Sequence, residues 1–142
     1  MRFRNIPRPA LIVLFVYAAL SKLLAFDIFQ RQMLNQVFRP WFDHLLVCLV
    51  PLLEIVAVAL LLNKKTGYAG LWLSAALMAA FTAYTGLVLL HFWKRVPCSC
   101  GGILGHLSWG PHLLFNSLFL ALSIWGIYLE QKERRLAGSA AA

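Results

Sequence analysis

Four long apolar segments alternate with short polar ones along this chain. The apolar segments cover about 9–27, 44–62, 67–92 and 110–129, and each is close to the roughly 20 residues that a helix needs to cross a bilayer. The sequence NKKTG at 63–67 predicts a short connection between the second and third segments. Pro97, Gly101 and Gly102 predict a loop after the third. The pattern therefore predicts four spanning helices.

Two further segments differ from this pattern. Residues 28–43 mix Arg31, Gln32 and Gln36 with apolar Phe29 and Met33 at helical spacing, which predicts an amphipathic helix lying in the membrane interface. The small-residue sequence AGSAAA at 137–142 predicts a flexible tail. Residues 1–136 are then expected to form a single transmembrane domain.

The first apolar segment follows a basic start that contains Arg2, Arg4 and Arg8, as the apolar region of a secretory signal peptide does. No small-residue cleavage site with matching flanks follows, and Lys22 interrupts the segment. We therefore expect a retained first helix. The third segment is rich in alanine, which predicts a face for close helix packing; the residues concerned are Ala69, Ala75, Ala76, Ala79, Ala80, Ala83 and Gly86.

The overall composition supports a membrane protein. Hydrophobic residues make up 61% and charged residues 13% of the 142 residues, whereas about 25% of residues are charged in soluble domains. The mean hydropathy of +0.75 agrees. A soluble fold of this length could not bury so much apolar surface. The predicted fold class is an all-α integral membrane four-helix bundle.

The net charge of +8 would suit nucleic acid, but the basic residues lie at the ends of the apolar segments rather than in a stripe. No nucleic-acid partner is expected. One side carries Arg2, Arg4, Arg8, Lys64, Lys65, Lys132, Arg134 and Arg135, and the other carries Arg31, Arg39, Lys94 and Arg95. The excess of basic residues marks the cytoplasmic side. We expect a multi-pass protein of the bacterial inner membrane with both termini in the cytoplasm.

The sequence VPCSCGGILGHLSWGPH at 96–112 then lies on the outer side, where disulfides form and persist. In a tight turn Cys98 and Cys100 could form a strained, labile disulfide, and the positive charges of Lys94 and Arg95 would favour the thiolate. Such a pair suits thiol–disulfide exchange.

Two other interpretations of this segment stay open. Cys98 and Cys100 with His106 or His112 could bind a soft metal such as Cu(I) or Zn²⁺. Alternatively, the thiols have no role beyond a turn. We expect Cys48, near the start of the second spanning helix, to be a core residue.

Two charges lie inside the predicted membrane region. Lys22 and Glu54 need partners there, since an unpaired charge in the bilayer costs several kcal/mol. We expect an ion pair between the first two spanning helices. Tyr84, Thr85 and Asn116 fall in the same outer half and would complete a polar pocket beneath the loop. That pocket could relay protons or hold a quinone headgroup.

Three stretches resemble a known family: YAALSKLLAFDIFQRQM, VPLLEIVAVALLL and CSCGGILGHLSWGPHLLFN. They are similar to the MauE family of methylamine utilisation membrane proteins, which is grouped with the DoxX-like small membrane proteins. The resemblance implies a four-helix protein that supports disulfide formation or the transport of reducing equivalents. It also implies a thioredoxin-like periplasmic partner and a link to methylamine metabolism.

These observations give two hypotheses of different class. In the first, the protein is a thiol–disulfide oxidoreductase whose catalytic residues are Cys98 and Cys100. Lys94, Arg95, Lys22, Glu54 and Asn116 would then support the site. In the second, it is a non-enzymatic membrane subunit, within a larger membrane complex, or a Cu or Zn handling protein that uses the same cysteines with His106 and His112.

Overall fold

Helices account for nearly all of the regular structure. The computed structural model describes residues 7–36, 38–93 and 109–140. Its helices are α1 (Pro7–Leu24), α2 (Phe26–Leu34), α3 (Pro40–Leu62), α4 (Gly67–Leu89) and α5 (Trp109–Ala140), and these described residues contain no strand. Four of the helices, all except α2, are long and apolar enough to cross a membrane. The predicted all-α membrane bundle is confirmed.

The spanning helices pack in a closed ring in which neighbours in sequence are neighbours in space. The main contacts join α1 to α3, α3 to α4 and α4 to α5, and a smaller contact between α5 and α1 closes the ring. The short connection at 63–66 favours antiparallel packing of α3 against α4. The core between them is apolar and consists of Leu11, Leu14, Phe15, Ala57, Leu61, Leu71, Ala75, Leu77, Met78 and Ile127.

The outer surface of the bundle is also apolar. Val13 is 69% exposed, Leu52 is 56% exposed and Leu118 is 60% exposed. Because lipid tails solvate such side chains as well as a protein core does, these residues need no cover in a membrane. Their exposure on all sides supports a multi-pass membrane protein.

The amphipathic segment predicted at 28–43 is two elements rather than one helix. Residues up to Leu34 form α2, Arg39 is extended with φ −74° and ψ 143°, and α3 starts at Pro40 rather than near residue 44. Proline is suited to the first position of a helix and forces the preceding residue to be extended. The apolar face of α2 packs against the bundle, because Phe29 and Met33 are buried against Val47 of α3.

The end of α4 is set by its backbone. His91 has φ 52°, the left-handed region, and its N–H donates to the carbonyl of Val88 at 3.1 Å while the N–H of Phe92 donates to that of Leu87 at 3.1 Å. This pair of bonds is the Schellman motif that closes helices. It ends α4 at Leu89 rather than near 92 and brings the Trp93 ring to 5.7 Å from Tyr84.

The last helix is longer than predicted. The apolar segment was expected to end near 129 and a tail to begin at 137, but α5 continues to Ala140. The residues after 129 include Glu, Gln, Lys, Arg and Leu, which all favour helix. The Glu130 carboxylate also forms two salt bridges, one from Oε2 to Arg8 Nη2 at 2.7 Å and one from Oε1 to Arg134 Nε at 3.4 Å. We call the end of the bundle that holds these groups the basic end, and the opposite end, where α4 finishes and α5 begins, the loop end.

The packing face predicted from the small residues of α4 is wrong at five of its seven positions, and Gly86 is half-buried. Ala75 is buried, whereas Ala69, Ala76, Ala79, Ala80 and Ala83 are exposed. The close approach occurs instead at Gly70, where a Cβ would lie 2.8 Å from the Leu61 nitrogen of α3. Most of the small residues lie on the exposed side of α4. The sequence alone did not show which side of the helix contacts its neighbours.

Replacing Gly70 with alanine is expected to destabilise the bundle by about 1–3 kcal/mol, because the added methyl group meets the backbone of α3. Gly86→Ala is the matched control on the same helix, since the nearest atom to its added Cβ is Leu113 Cδ1 at 4.0 Å. That control should be neutral, or stabilising by up to about 1 kcal/mol. Thermal unfolding of the two variants in detergent measures both effects. Equal stability of the variants would contradict the close contact between α3 and α4.

Candidate functional site

A buried ion pair joins α1 and α3. Lys22 Nζ lies 2.8 Å from Glu54 Oε1, and the side chains are 11% and 1% exposed. The pair predicted from the two embedded charges is therefore present. Lysine reaches its partner because the long side chain spans the offset between its backbone and the carboxylate.

The pair leaves hydrogen-bonding capacity on both partners. Lys22 Nζ also donates to the Ala18 carbonyl at 3.2 Å and lies 5.9 Å from the centre of the Phe29 ring. An ammonium group has three donors, and the hydrogen bonds to Glu54 and Ala18 use two of them. Glu54 Oε2 is buried and accepts no hydrogen bond from the residues that the structure describes. A buried carboxylate oxygen in this state favours a bound donor.

The ion pair faces a cavity in the loop-end half of the bundle. The cavity has a volume of about 290 Å³ and all five helices contribute to its wall. Most of the wall is apolar and includes Phe15, Phe81 and Phe115. Its polar side chains are Tyr17, Ser21, Lys22, Gln36, Glu54, Tyr84, Thr85, His112 and Asn116.

Hydrogen bonds fix two polar pairs on the α4 side. Asn116 Nδ2 donates to Thr85 Oγ1 at 3.2 Å, which ties α5 to α4. The Tyr84 hydroxyl donates to Gln36 Oε1, which ties α4 to the connection that follows α2. The Thr85 hydroxyl itself donates to the Phe81 carbonyl at 2.6 Å. These side chains are held in place before any ligand binds.

The first turn of α5 supplies the remaining polar group. His112 lines the cavity and stacks on Trp109, with ring centroids 6.5 Å apart and an interplanar angle of 15°. Its Nδ1 atom is buried and has no hydrogen-bond partner among the described residues. Together with Glu54 Oε2, this atom gives the cavity two polar groups that a ligand could satisfy.

The structure gathers only part of the predicted site. Lys22, Glu54, Asn116 and His112 all line the one cavity. The remaining predicted residues lie outside the part of the chain that the structure describes, and these are Lys94, Arg95, Cys98, Cys100 and His106.

Cys48 was expected in the core, and that prediction is wrong. The thiol is free and exposed on the outer surface of α3. Val47 and Val50 on either side of it take the buried positions on this turn. A single apolar helix gives little signal about which side faces its neighbours, since both sides are apolar in a membrane.

The sequence did not identify the contribution of α2 and the connection that follows it. Met33, Gln36 and Phe38 line the cavity, although the segment was expected only to lie in the interface. The sequence signal for this contribution was the helical spacing of Phe29, Met33 and Gln36. In the structure Gln36 is as buried as the two apolar residues. Among the described residues, no three His, Cys, Asp or Glu side chains converge to hold a metal ion.

The fold and the site define a multi-pass membrane protein whose helices enclose a mostly apolar cavity with a buried ion pair. Residues 2–129 match the family model for methylamine utilisation protein MauE, and the chain belongs to that family. Neither a curated protein nor a solved structure matches the chain.

Removing one partner of the ion pair is expected to lower the stability of the bundle strongly, whereas removing both partners should lower it much less. Glu54→Gln leaves the Lys22 ammonium without its counter-charge, which costs on the order of 3–5 kcal/mol for a buried pair. Adding Lys22→Met to Glu54→Gln removes the stranded charge and should restore much of the loss. Unfolding of the single and double variants in detergent gives the coupling. A double variant no more stable than the worse single variant would contradict an energetic pairing.

Proposed function

We propose that this protein carries out thiol–disulfide exchange at the outer face of the bacterial inner membrane. Cys98 and Cys100 are the exchanging pair, and the partner is a thioredoxin-like periplasmic protein. Membership of the MauE family supports an association with methylamine utilisation. Disulfide formation in a periplasmic protein of that process is the step to which the thiols would contribute.

The observation that carries the proposal is the position of the helix ends beside the cavity. Trp109, the first residue of α5, lines the cavity, and Trp93, beyond the end of α4, contacts the cavity residue Tyr84. The segment between these two tryptophans contains both Cys98 and Cys100. The thiols therefore belong to a connection whose two ends border the polar cavity.

The exchange follows ordinary thiol chemistry. A thiolate of the reduced partner attacks the Cys98–Cys100 disulfide, and a mixed disulfide forms as the other sulfur leaves. The second partner thiol then attacks the mixed disulfide, which leaves the partner oxidised and the membrane pair as two thiols. The positive charges of Lys94 and Arg95 favour the thiolate form of the leaving sulfur.

Cys98→Ser and Cys100→Ser are each expected to abolish exchange, because one thiol alone cannot close an intramolecular disulfide. Cys48→Ala is the matched control, since Cys48 is free and exposed on the side of a spanning helix. Exchange is measured as oxidation of a reduced thioredoxin-like substrate by the purified chain. Full activity in either serine variant, or loss of activity in Cys48→Ala, would contradict the assignment.

Thiol counting and metal analysis of the same purified proteins distinguish the metal-handling alternative from thiol exchange. In the exchange proposal, reduction of the Cys48→Ala protein should expose two additional thiols to a maleimide reagent, and the protein should hold no stoichiometric metal. One equivalent of copper or zinc that is lost together with Cys98 or His112 would instead support a metal site.

The orientation predicted from the basic residues is tested by labelling. In intact spheroplasts, a membrane-impermeant maleimide should label reduced Cys98 and Cys100 in the Cys48→Ala background. This follows because the basic end, where Arg8 meets Glu130, is expected on the cytoplasmic side. Labelling that requires the membrane to be opened would reverse the orientation and remove the oxidising compartment on which the disulfide depends.

A further inference from the structure

We propose that the cavity between the helices binds the ring of an isoprenoid quinone. The quinone accepts the electrons that the Cys98–Cys100 pair releases when it reoxidises. The electron source in this inference rests on the proposed thiol function, whereas the binding of the quinone rests on the cavity alone.

The size and the lining of the cavity favour a small, mostly apolar ligand. Its volume of about 290 Å³ is at the lower end of the range of small-molecule sites, roughly 300–1,000 Å³. Aromatic side chains such as Phe15, Phe81 and Phe115 form much of the wall. A planar ring with few polar atoms matches such a wall, and an isoprenoid quinone dissolves in the lipid that surrounds the bundle.

The buried charges favour a ligand that is itself neutral. Lys22 and Glu54 compensate each other at 2.8 Å, so a fatty acid carboxylate or a lipid phosphate would add an unpaired charge to an apolar interior. Such a charge costs far more than a hydrogen-bonded neutral group. A quinone and its quinol are both uncharged.

The free hydrogen-bonding groups match both redox states of a quinone. Lys22 Nζ has a third donor for a quinone carbonyl oxygen, since the ammonium uses two of its three donors as hydrogen bonds to protein. Glu54 Oε2 is buried without a partner and can accept from a quinol hydroxyl. His112 Nδ1 is likewise buried without a partner in the described part of the chain. An alkyl chain would satisfy none of these atoms.

The redox step balances without a further reactant. Closure of the Cys98–Cys100 disulfide breaks two S–H bonds and forms one S–S bond, which releases two electrons and two protons. The quinone takes up both electrons and both protons, and its two carbonyl groups become hydroxyl groups. The quinol then leaves to the membrane pool.

Binding is tested with decyl-ubiquinone and its quinol on the purified full-length chain in quinone-free nanodiscs. Val50→Phe places a ring in the cavity and is expected to weaken binding by about tenfold or more. Val56→Phe makes the same change on the same helix at an exposed position and should bind as the unchanged chain does. The Lys22→Met/Glu54→Leu double variant keeps the interior neutral but removes both hydrogen-bonding groups, and it should also bind more weakly.

The results separate the two proposals. The Cys98→Ser/Cys100→Ser variant should still bind decyl-ubiquinone, and the folded Val50→Phe variant should complete one round of thiol exchange without being reoxidised by the quinone. Equal affinity in Val50→Phe and Val56→Phe, or displacement of decyl-ubiquinone by equimolar oleate, would overturn the quinone site. Quinone binding without any thiol exchange would overturn the proposed function and the thiol pair as electron source, but not the quinone site.

Discussion

One buried ion pair organises the interior of this bundle. The spanning helices are apolar inside and outside, so hydrophobic burial does little to choose how they meet in a membrane. Lys22 and Glu54 must meet, because either charge alone inside the bilayer would be costly. This requirement sets α1 against α3 and places a charged pair in the wall of a mostly apolar cavity.

The two ends of the bundle are built differently. At the basic end, Arg8 binds Glu130 at 2.7 Å and the Arg134 guanidinium lies 4.6 Å from the centre of the Tyr68 ring. Gly70 allows the backbones of α3 and α4 to meet closely there. At the loop end, α2 packs under α3, and the helices leave room for the cavity. The helices therefore pack closely at the basic end and enclose the cavity at the loop end.

This division suits the proposed function, which links thiol chemistry at the membrane surface to a ligand in the cavity. The cysteine-bearing segment joins the two helix ends that border the cavity, beside Trp93 and Trp109. The buried polar atoms of Glu54 and His112 point to a ligand that carries its own hydrogen-bonding groups.

The sequence by itself determined the class of fold, the spanning helices and the Lys22–Glu54 pair. Long apolar segments have one stable form in lipid, and two embedded charges of opposite sign have one inexpensive arrangement. Tertiary structure alone decided which side of each helix faces inward: Cys48 and most of the alanines of α4 are exposed, whereas Gln36 is buried at the cavity. The physical reason is that lipid and protein interior are equally apolar. The periodicity of apolar residues therefore says little about which side of a helix faces the bundle interior. Only packing against the neighbouring helices decides that.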